Sequence, residues 1–84
     1  MKYRKKPTIV EAFRFGVEKA PDWFLLDERV ILGDKQGKSS LFCVIKTASG
    51  LVMGDFGDYV IKGIDGEIYI CKAEAFVVSY EEVY

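Results

Sequence analysis

Four residues in the C-terminal half carry side chains that could do chemistry together: Lys62, Glu67, Tyr69 and Cys71. They lie on two short runs rich in Val, Ile and Tyr that flank Asp65-Gly66, a pair that accepts positive φ and so predicts a tight β-hairpin. With these two residues as the turn, Lys62 pairs with Tyr69 and lies diagonally near Glu67 or Cys71. A lysine beside a cysteine lowers the pKa of the thiol, so this face could hold a reactive thiolate.

The predicted register sorts the other hairpin side chains onto two faces. Ile61 pairs with Ile70 and Val60 pairs with Cys71, because side chains alternate along each strand. The apolar face, with Ile61, Ile68 and Ile70, is predicted to join the core. The opposite face mixes charge, phenol and thiol.

Binding explains this mixed face better than catalysis does. Lys, Glu and Tyr on the outer face of a hairpin commonly form a solvated cross-strand network. The chain contains no His, so the most common general base is missing. We therefore predict that the protein is not an enzyme and that Lys62, Glu67, Tyr69, Cys71 and Asp58 belong to a binding surface. A small enzyme using the first four of these residues is an alternative hypothesis.

The cysteine and acid content predicts neither a metal nor a cofactor. Tetrahedral zinc takes four Cys or His ligands, and the chain has two Cys and no His. Asp55, Asp58 and Asp65 could offer oxygen ligands, but all three occupy turn positions, where Asp bonds the nearby backbone. Cys43 and Cys71 are predicted to be packed thiols and not a disulfide or redox pair.

Nucleic-acid binding is a second alternative, and it rests on the basic N-terminal arm, residues 1–6. This arm contains Lys2, Arg4, Lys5 and Lys6, with Tyr3 between them. Such residues can contact phosphates and stack on a base. The sequence pI of 5.4 and the seven acids of residues 54–84 oppose this interpretation, since nucleic-acid binders are usually basic.

Length and composition predict one domain spanning residues 1–84, because a chain this short can bury only one core. Half of the residues are apolar, which argues against disorder. The apolar runs are far shorter than the ~20 residues of a transmembrane helix, and no apolar signal segment follows the basic start. We therefore predict a cytoplasmic protein that does not bind a membrane.

The order of elements predicts an α+β fold: a mostly antiparallel sheet with a C-terminal β-meander and one short helix packed on it. Strands are predicted at 8–15, 30–32, 41–47, 51–53 and in the hairpin, with a last strand at 77–81. The helix is predicted over about 21–28, where Pro21 and Asp22 suit a first turn. The predicted core comprises Ile9 or Val10, Phe13, Trp23, Leu26, Val44, Ile61, Ile68, Ile70 and Phe76.

Several motifs together resemble a family of small, uncharacterised phage and prophage proteins. The resemblance covers most of the chain, through Lys2-Tyr3-Arg4-Lys5-Lys6-Pro7, Glu11-Ala12-Phe13, Ile45-Lys46-Thr47, Gly57-Asp58-Tyr59, Ile61-Lys62-Gly63, Gly66-Glu67, Tyr69, Cys71-Lys72, Phe76 and Tyr80-Glu81. Family members usually have Pro where this chain has Phe56, and often where it has Ile70 and Ala73.

The resemblance implies a phage or prophage origin and a location in the cytoplasm of the bacterial host, but it implies no reaction. Accessory phage proteins of this size often dock on a host or phage protein. We therefore predict a non-enzymatic protein-interaction module, with a sheet face or exposed edge strand as its interface. Because such an edge can also pair with itself, a homodimer is a further expectation.

Overall fold

A computed structural model describes residues 1–4, 7–34 and 41–83, and the predicted α+β class is confirmed. The elements in chain order are β1 (Glu11–Arg14), α1 (Asp22–Leu25), β2 (Val30–Asp34), β3 (Leu41–Thr47), β4 (Gly50–Asp55), β5 (Tyr59–Lys62), β6 (Ile68–Cys71) and α2 (Ala73–Ser79). The two helices are short, so most of the ordered backbone is strand.

The six strands form two antiparallel sheets of three strands each. One sheet has the order β2-β3-β4, and two residues, Ala48 and Ser49, join β3 to β4. The other has the order β1-β5-β6, so the C-terminal hairpin pairs with the first strand of the chain. Strand β1 is shorter than the predicted 8–15 because its register places Val10 opposite Gly63, where β5 has ended and the hairpin turn begins.

One hydrophobic core joins both sheets and α1. Its fully buried members include Phe24 of α1, Cys43 and Ile45 of β3, and Val60 of β5. Phe13 of β1 packs edge-to-face on Phe24, with ring centroids 4.9 Å apart. The helix is therefore held to the β1-β5-β6 sheet by an aromatic contact, in a geometry that aromatic rings prefer.

Several predicted core positions are wrong. Of the alternatives Ile9 and Val10, Ile9 is 76% exposed because it precedes β1, whereas Val10 is partly buried. Leu26 is 79% exposed because α1 ends at Leu25, so the predicted extension to residue 28 does not form. On β3 the alternation places Cys43 and Ile45 in the core, and Val44 lies on the opposite face.

The predicted register of the C-terminal hairpin is wrong by one residue. Val60 pairs with Ile70 and Ile61 pairs with Tyr69. A two-residue turn at Asp65-Gly66 would need positive φ at both positions, but among the described residues only glycines adopt positive φ. Of the two residues Asp65 and Gly66, only Gly66 has a positive φ, at +82°. The loop therefore has three residues, between Gly63 and Glu67.

The side chain of Asp65 explains why this loop is preferred. Its Oδ1 accepts the backbone N–H of Glu67 at 3.0 Å, while the Gly66 N–H donates to the Gly63 carbonyl at 3.0 Å. An Asp that bonds the backbone two residues on stabilises a turn in which its own φ stays negative. The longer loop moves every side chain of β6 by one position relative to β5.

The predicted last strand at 77–81 is also wrong, since residues 73–79 form α2. Val77 and Val78 favour a strand locally, but a helix places Phe76 and Tyr80 on one side. Phe76 stacks on Tyr59 with centroids 3.8 Å apart, and Tyr80 stacks on Phe76 at 4.8 Å. This tertiary contact outweighs the local preference of the two valines.

Candidate functional site

The predicted site does not form, because the register shift places its residues on different faces of the hairpin. These residues are Lys62, Glu67, Tyr69 and Cys71. Lys62 pairs with Ile68 and shares the core-side face with Val60. Its Nζ lies 5.9 Å from the centroid of the Trp23 ring, a cation–π contact. Tyr69 and Cys71 lie on the other face of the sheet, so Lys62 is not positioned to activate the thiol of Cys71.

Tyr69 and Cys71 each make a local hydrogen bond. The Tyr69 hydroxyl donates to Asp65 Oδ2 at 2.9 Å, which raises the pKa of Tyr69. The pKa of Asp65 is lowered, mainly by the Glu67 N–H and then by Tyr69. The Cys71 thiol donates to the Lys72 carbonyl at 3.6 Å. These contacts support the turn and the end of β6, and they assemble no acid–base pair.

Glu67 belongs to a different cluster, which joins the segment after α1 to the hairpin turn. Arg29 forms two parallel hydrogen bonds with Asp27, from Nε to Oδ1 at 3.0 Å and from Nη2 to Oδ2 at 2.8 Å. Nη2 also donates to the Gly66 carbonyl at 3.0 Å, and Nη1 lies 3.6 Å from Glu67 Oε2. The hydrogen bond from Arg29 holds the pKa of Asp27 below its ordinary value.

Asp58 is the one buried charged residue among those described, with 5% of its surface exposed. Its Oδ2 accepts the Asp55 N–H at 2.9 Å and lies 3.1 Å from Lys72 Nζ. Lys72 also approaches Asp55 Oδ2 at 3.7 Å, and the hydrogen bond to Asp58 raises the pKa of Lys72. Asp58 therefore ties the turn after β4 to the end of β6.

The second cysteine, Cys43, is fully buried in the core. Desolvation raises the pKa of its thiol to about 11. A thiol of that pKa is almost wholly protonated near pH 7, so it is a weak nucleophile. Both cysteines are free thiols, so they form no disulfide.

A groove of about 750 Å³, which the sequence did not predict, runs along the outer edge of β1. Residues 8–13 line it without a gap, whereas one face of a strand would contribute only alternate residues. The groove therefore follows the backbone edge. The other wall comes from the connection between β1 and α1, from α2, and from residues 81–83.

The hydrogen bonds of β1 show which backbone groups point into this groove. Phe15 N–H donates to the Asp58 carbonyl at 2.7 Å, which continues the β1–β5 register. Because inward-bonding residues alternate in an antiparallel pair, Ala12 and Arg14 direct their N–H and C=O groups outward. Arg14 N–H donates to Glu18 Oε1 at 2.7 Å, and its carbonyl accepts the N–H groups of residues 17 and 18. Ala12 has no such outward partner among the described residues.

The side chains around the groove combine aromatic surface with negative charge. The charged lining residues are four glutamates and one lysine: Glu11, Glu18, Glu81, Glu82 and Lys19. The apolar lining includes Trp23, Phe76 and Tyr80, together with aliphatic side chains. This composition favours cationic and apolar groups and repels phosphate.

A column of three stacked rings forms part of the groove wall. The Arg14 guanidinium lies 5.8 Å from the Tyr59 ring centroid at one end, followed by Phe76 and Tyr80. Tyr80 is 40% exposed, so the column ends in a ring that solvent can reach. A signal for this column was present in the sequence, since Phe76 and Tyr80 are four residues apart and would share one side of a helix.

Of the basic N-terminal arm, the structure describes residues 1–4, all of which are exposed. Lys2 and Arg4 are exposed, and Tyr3 is 87% exposed. The predicted contacts of Lys5 and Lys6 lie outside the described residues. Within residues 1–4, 7–34 and 41–83, no three His, Cys, Asp or Glu side chains are grouped as metal ligands. Over the same residues, no helix has the length and apolar character needed to cross a membrane.

The chain matches no protein-family model, no curated protein and no solved structure. The groove along β1 is therefore judged by its geometry and charge alone.

Proposed function

We propose that the protein is a non-enzymatic interaction module that binds an extended, basic segment of another protein along the outer edge of β1. The observation that carries this proposal is the outward-facing backbone of Ala12, which lies in a groove lined by four glutamates. An extended segment can hydrogen-bond such an edge and become a fourth strand of the β1-β5-β6 sheet.

The lining of the groove determines which side chains the segment should carry. Alternate side chains of an added strand point to opposite faces, so apolar residues can contact Trp23 and Phe76 while basic residues reach the glutamates. An arginine has a further favourable position, since its planar guanidinium can stack on the exposed ring of Tyr80 and pair with Glu81.

A protein partner suits this surface better than nucleic acid does. The glutamates would repel a phosphate backbone, whereas they attract Lys and Arg. Phage or prophage origin, implied by the sequence resemblance, stays a prediction, and with it the identity of the partner as a host or phage protein. The binding surface predicted from Lys62, Glu67, Tyr69, Cys71 and Asp58 gains no support from geometry. Lys62 contacts Trp23, Glu67 lies near Arg29, and Tyr69 bonds Asp65. Asp58 and Cys71 both bond Lys72, through its amine and its carbonyl.

The test uses a fluorescent peptide that alternates valine and arginine, with its binding followed by anisotropy. We expect the peptide to bind, and a matched peptide alternating valine and glutamate to bind at least about tenfold more weakly, equivalent to ~1.4 kcal/mol. Methylating alternate backbone nitrogens of the valine–arginine peptide keeps its charge but removes strand donors. If strand addition is the mode, this change should abolish binding.

The matched protein variants are Ala12→Pro and Ala12→Val. Proline removes the outward N–H of an exposed edge position, which edge strands tolerate, while valine keeps that N–H. We expect Ala12→Pro to lose the peptide and Ala12→Val to retain it, with circular dichroism confirming that both fold. Equal binding by both variants and by the methylated peptide would overturn strand addition. Tighter binding of an oligothymidylate than of the basic peptide would favour the nucleic-acid alternative.

A further inference from the structure

A second uncovered surface lies on the β2-β3-β4 sheet, on the side away from the core. Cys43 and Ile45 of β3 point into the core, so the alternating residue Val44 points outward. Ile31 of β2 and Met53 of β4 pair with Val44 on either side, which makes one apolar row across three strands. Ile31 is 50% exposed and Met53 is 55% exposed.

The residues on either side of this row extend the surface. Toward one end of the strands, Lys46 pairs with Leu51, which is 68% exposed. Toward the other end, Phe42 pairs with Asp55. The outward face of an antiparallel sheet is normally polar when it faces water, but here Phe42 and Val44 make most of the outward side of β3 apolar, with Lys46 as its one charged residue. The partly buried Phe42 and Val44, between the half-exposed Ile31 and Met53, therefore leave an apolar surface that another molecule can cover.

We propose that this face binds a second copy of the chain, so that two β2-β3-β4 sheets pack face to face about a two-fold axis. Such packing lets the Ile31, Val44 and Met53 rows of the two copies bury one another. The occupant is indicated by the charges beside the row, because Lys46 and Asp55 lie on opposite sides of it. Asp55 lies 3.7 Å from Lys72 Nζ but keeps 56% of its side chain exposed, so it can also face Lys46 of a second copy across a two-fold axis.

The two charges also select the orientation of the axis. A two-fold axis along the strands would place Lys46 against Lys46 of the second copy, which is repulsive. An axis along the apolar row reverses the strand direction between copies. Lys46 of the second copy then lies over Phe42 and beside Asp55, and Leu51 of the second copy lies over Asp55. The second arrangement replaces a repulsion with an attraction.

This dimer is independent of the groove proposed for the partner segment. The groove borders β1, which belongs to the other sheet, so both surfaces can be occupied at once. The face is small, about 300 Å² in plan, from three strands spaced ~4.8 Å and about 20 Å long. Stable interfaces bury ~800 Å² per partner, so we expect a concentration-dependent dimer.

The test is sedimentation equilibrium of the full chain from ~10 μM to ~1 mM, a range that brackets weak dissociation constants. We expect a monomer–dimer equilibrium and, for Met53→Lys, a dissociation constant raised at least about tenfold by facing lysines. The control is Ile64→Lys, which places the same charge at a 78% exposed position in the hairpin turn. This control should associate as the unmodified chain does.

A charge pair at Leu51 tests the orientation. Leu51→Glu would face Asp55 of the second copy and should weaken the dimer, whereas Leu51→Lys would face it favourably and should weaken the dimer less. A chain that stays monomeric to ~1 mM would overturn the proposal. Equal weakening of the dimer by Met53→Lys and Ile64→Lys would also overturn the proposal. An association that Ala12→Pro abolishes and Met53→Lys leaves intact would overturn it too, because the two copies would then pair through β1. If Leu51→Lys weakened the dimer more than Leu51→Glu does, the proposed orientation of the two-fold axis would be wrong.

Discussion

Charged side chains lie in two different environments in this molecule: a buried hydrogen-bonded contact and an exposed strand edge. On the side where β4 and β6 approach one another, Asp58 is buried and bonded to Lys72 and to the Asp55 backbone. Along β1, Glu11 and Glu81 are exposed beside a backbone edge that has no strand partner among the described residues. The first group holds elements together, while the second gives the groove its charge.

This difference bears on the motifs that suggested a family. Asp58 of Gly57-Asp58-Tyr59 and Lys72 of Cys71-Lys72 meet in one contact, and Tyr59 supports α2 by stacking on Phe76. Gly66 takes the left-handed conformation that the hairpin turn requires. The motif residues are therefore explained by the fold, and the proposed function depends on the edge of β1 instead.

The largest loss of stability is expected when the buried carboxylate is removed by Asp58→Ala. We expect a loss of about 1.5–3 kcal/mol in the free energy of unfolding, because a buried carboxylate loses charge-assisted hydrogen bonds and leaves the Asp55 N–H without its acceptor. Urea denaturation would measure this loss. Asp58→Asn is the matched control: it keeps an acceptor for Asp55 and should cost less. If Asp58→Ala were as stable as the unmodified chain, the carboxylate would not hold β4 and β6 together.

A smaller effect is expected for Arg29→Met, which keeps the length of the side chain but removes its charge and donors. The ion pair is partly exposed, with 35% of the Arg29 side chain and 19% of the Asp27 side chain accessible, so about 1 kcal/mol is expected. Urea denaturation at pH 7 provides the measurement. Lys62→Met, which removes a charge close to Asp27 without breaking its hydrogen bonds, should cost less.

The pH dependence of this pair has a definite sign. Arg29 lowers the pKa of Asp27 in the folded state, so its stabilisation is complete above the unfolded value of 3.8 and is lost as the pH falls through the lower folded value. The difference in stability between the unmodified chain and Arg29→Met should therefore shrink below about pH 4. A difference that stayed constant to pH 2 would show that the guanidinium acts through packing and not through the ion pair.

The sequence predicted the fold class because its strongest signals are local. The bounds of β3 agree with the prediction, since Gly and Ser residues lie on both sides of a mostly apolar run in the sequence. The residue types predict the hairpin but not its register, which depends on whether Asp65 adopts positive φ or bonds the Glu67 N–H. The helical conformation of residues 77–79 was not predicted, because α2 is held by the stacking of Phe76 on Tyr59, which lies 17 positions earlier in the chain.

The groove could not be predicted for a related reason. Its glutamates come from residues near both ends of the chain, and they meet only because α2 and residues 81–83 lie beside β1. Strand order decides which edge is open, and that order places β1 next to β5 across more than forty residues. Local patterns carry little information about contacts of such separation.

The smallest expected effect on stability, and a large one on binding, is that of the double variant Glu11→Gln, Glu81→Gln. Both side chains are exposed, so the free energy of unfolding should change by less than about 0.5 kcal/mol. Removing two charges from the groove should weaken binding of the valine–arginine peptide about 5- to 30-fold, at ~0.5–1 kcal/mol for each ion pair. It should also flatten the dependence of that affinity on salt, because fewer charges attract the peptide.

The matched control replaces two exposed glutamates away from the groove, Glu28→Gln and Glu74→Gln, which are not among its lining residues. This control has the same net charge as the groove variant, so it separates local recognition from the general attraction between an acidic protein and a basic peptide. If both double variants lost affinity equally, the groove glutamates would contribute only to net charge. A loss confined to the Glu11 and Glu81 variant would mean that carboxylates which hold no part of the fold together are what recognise the partner.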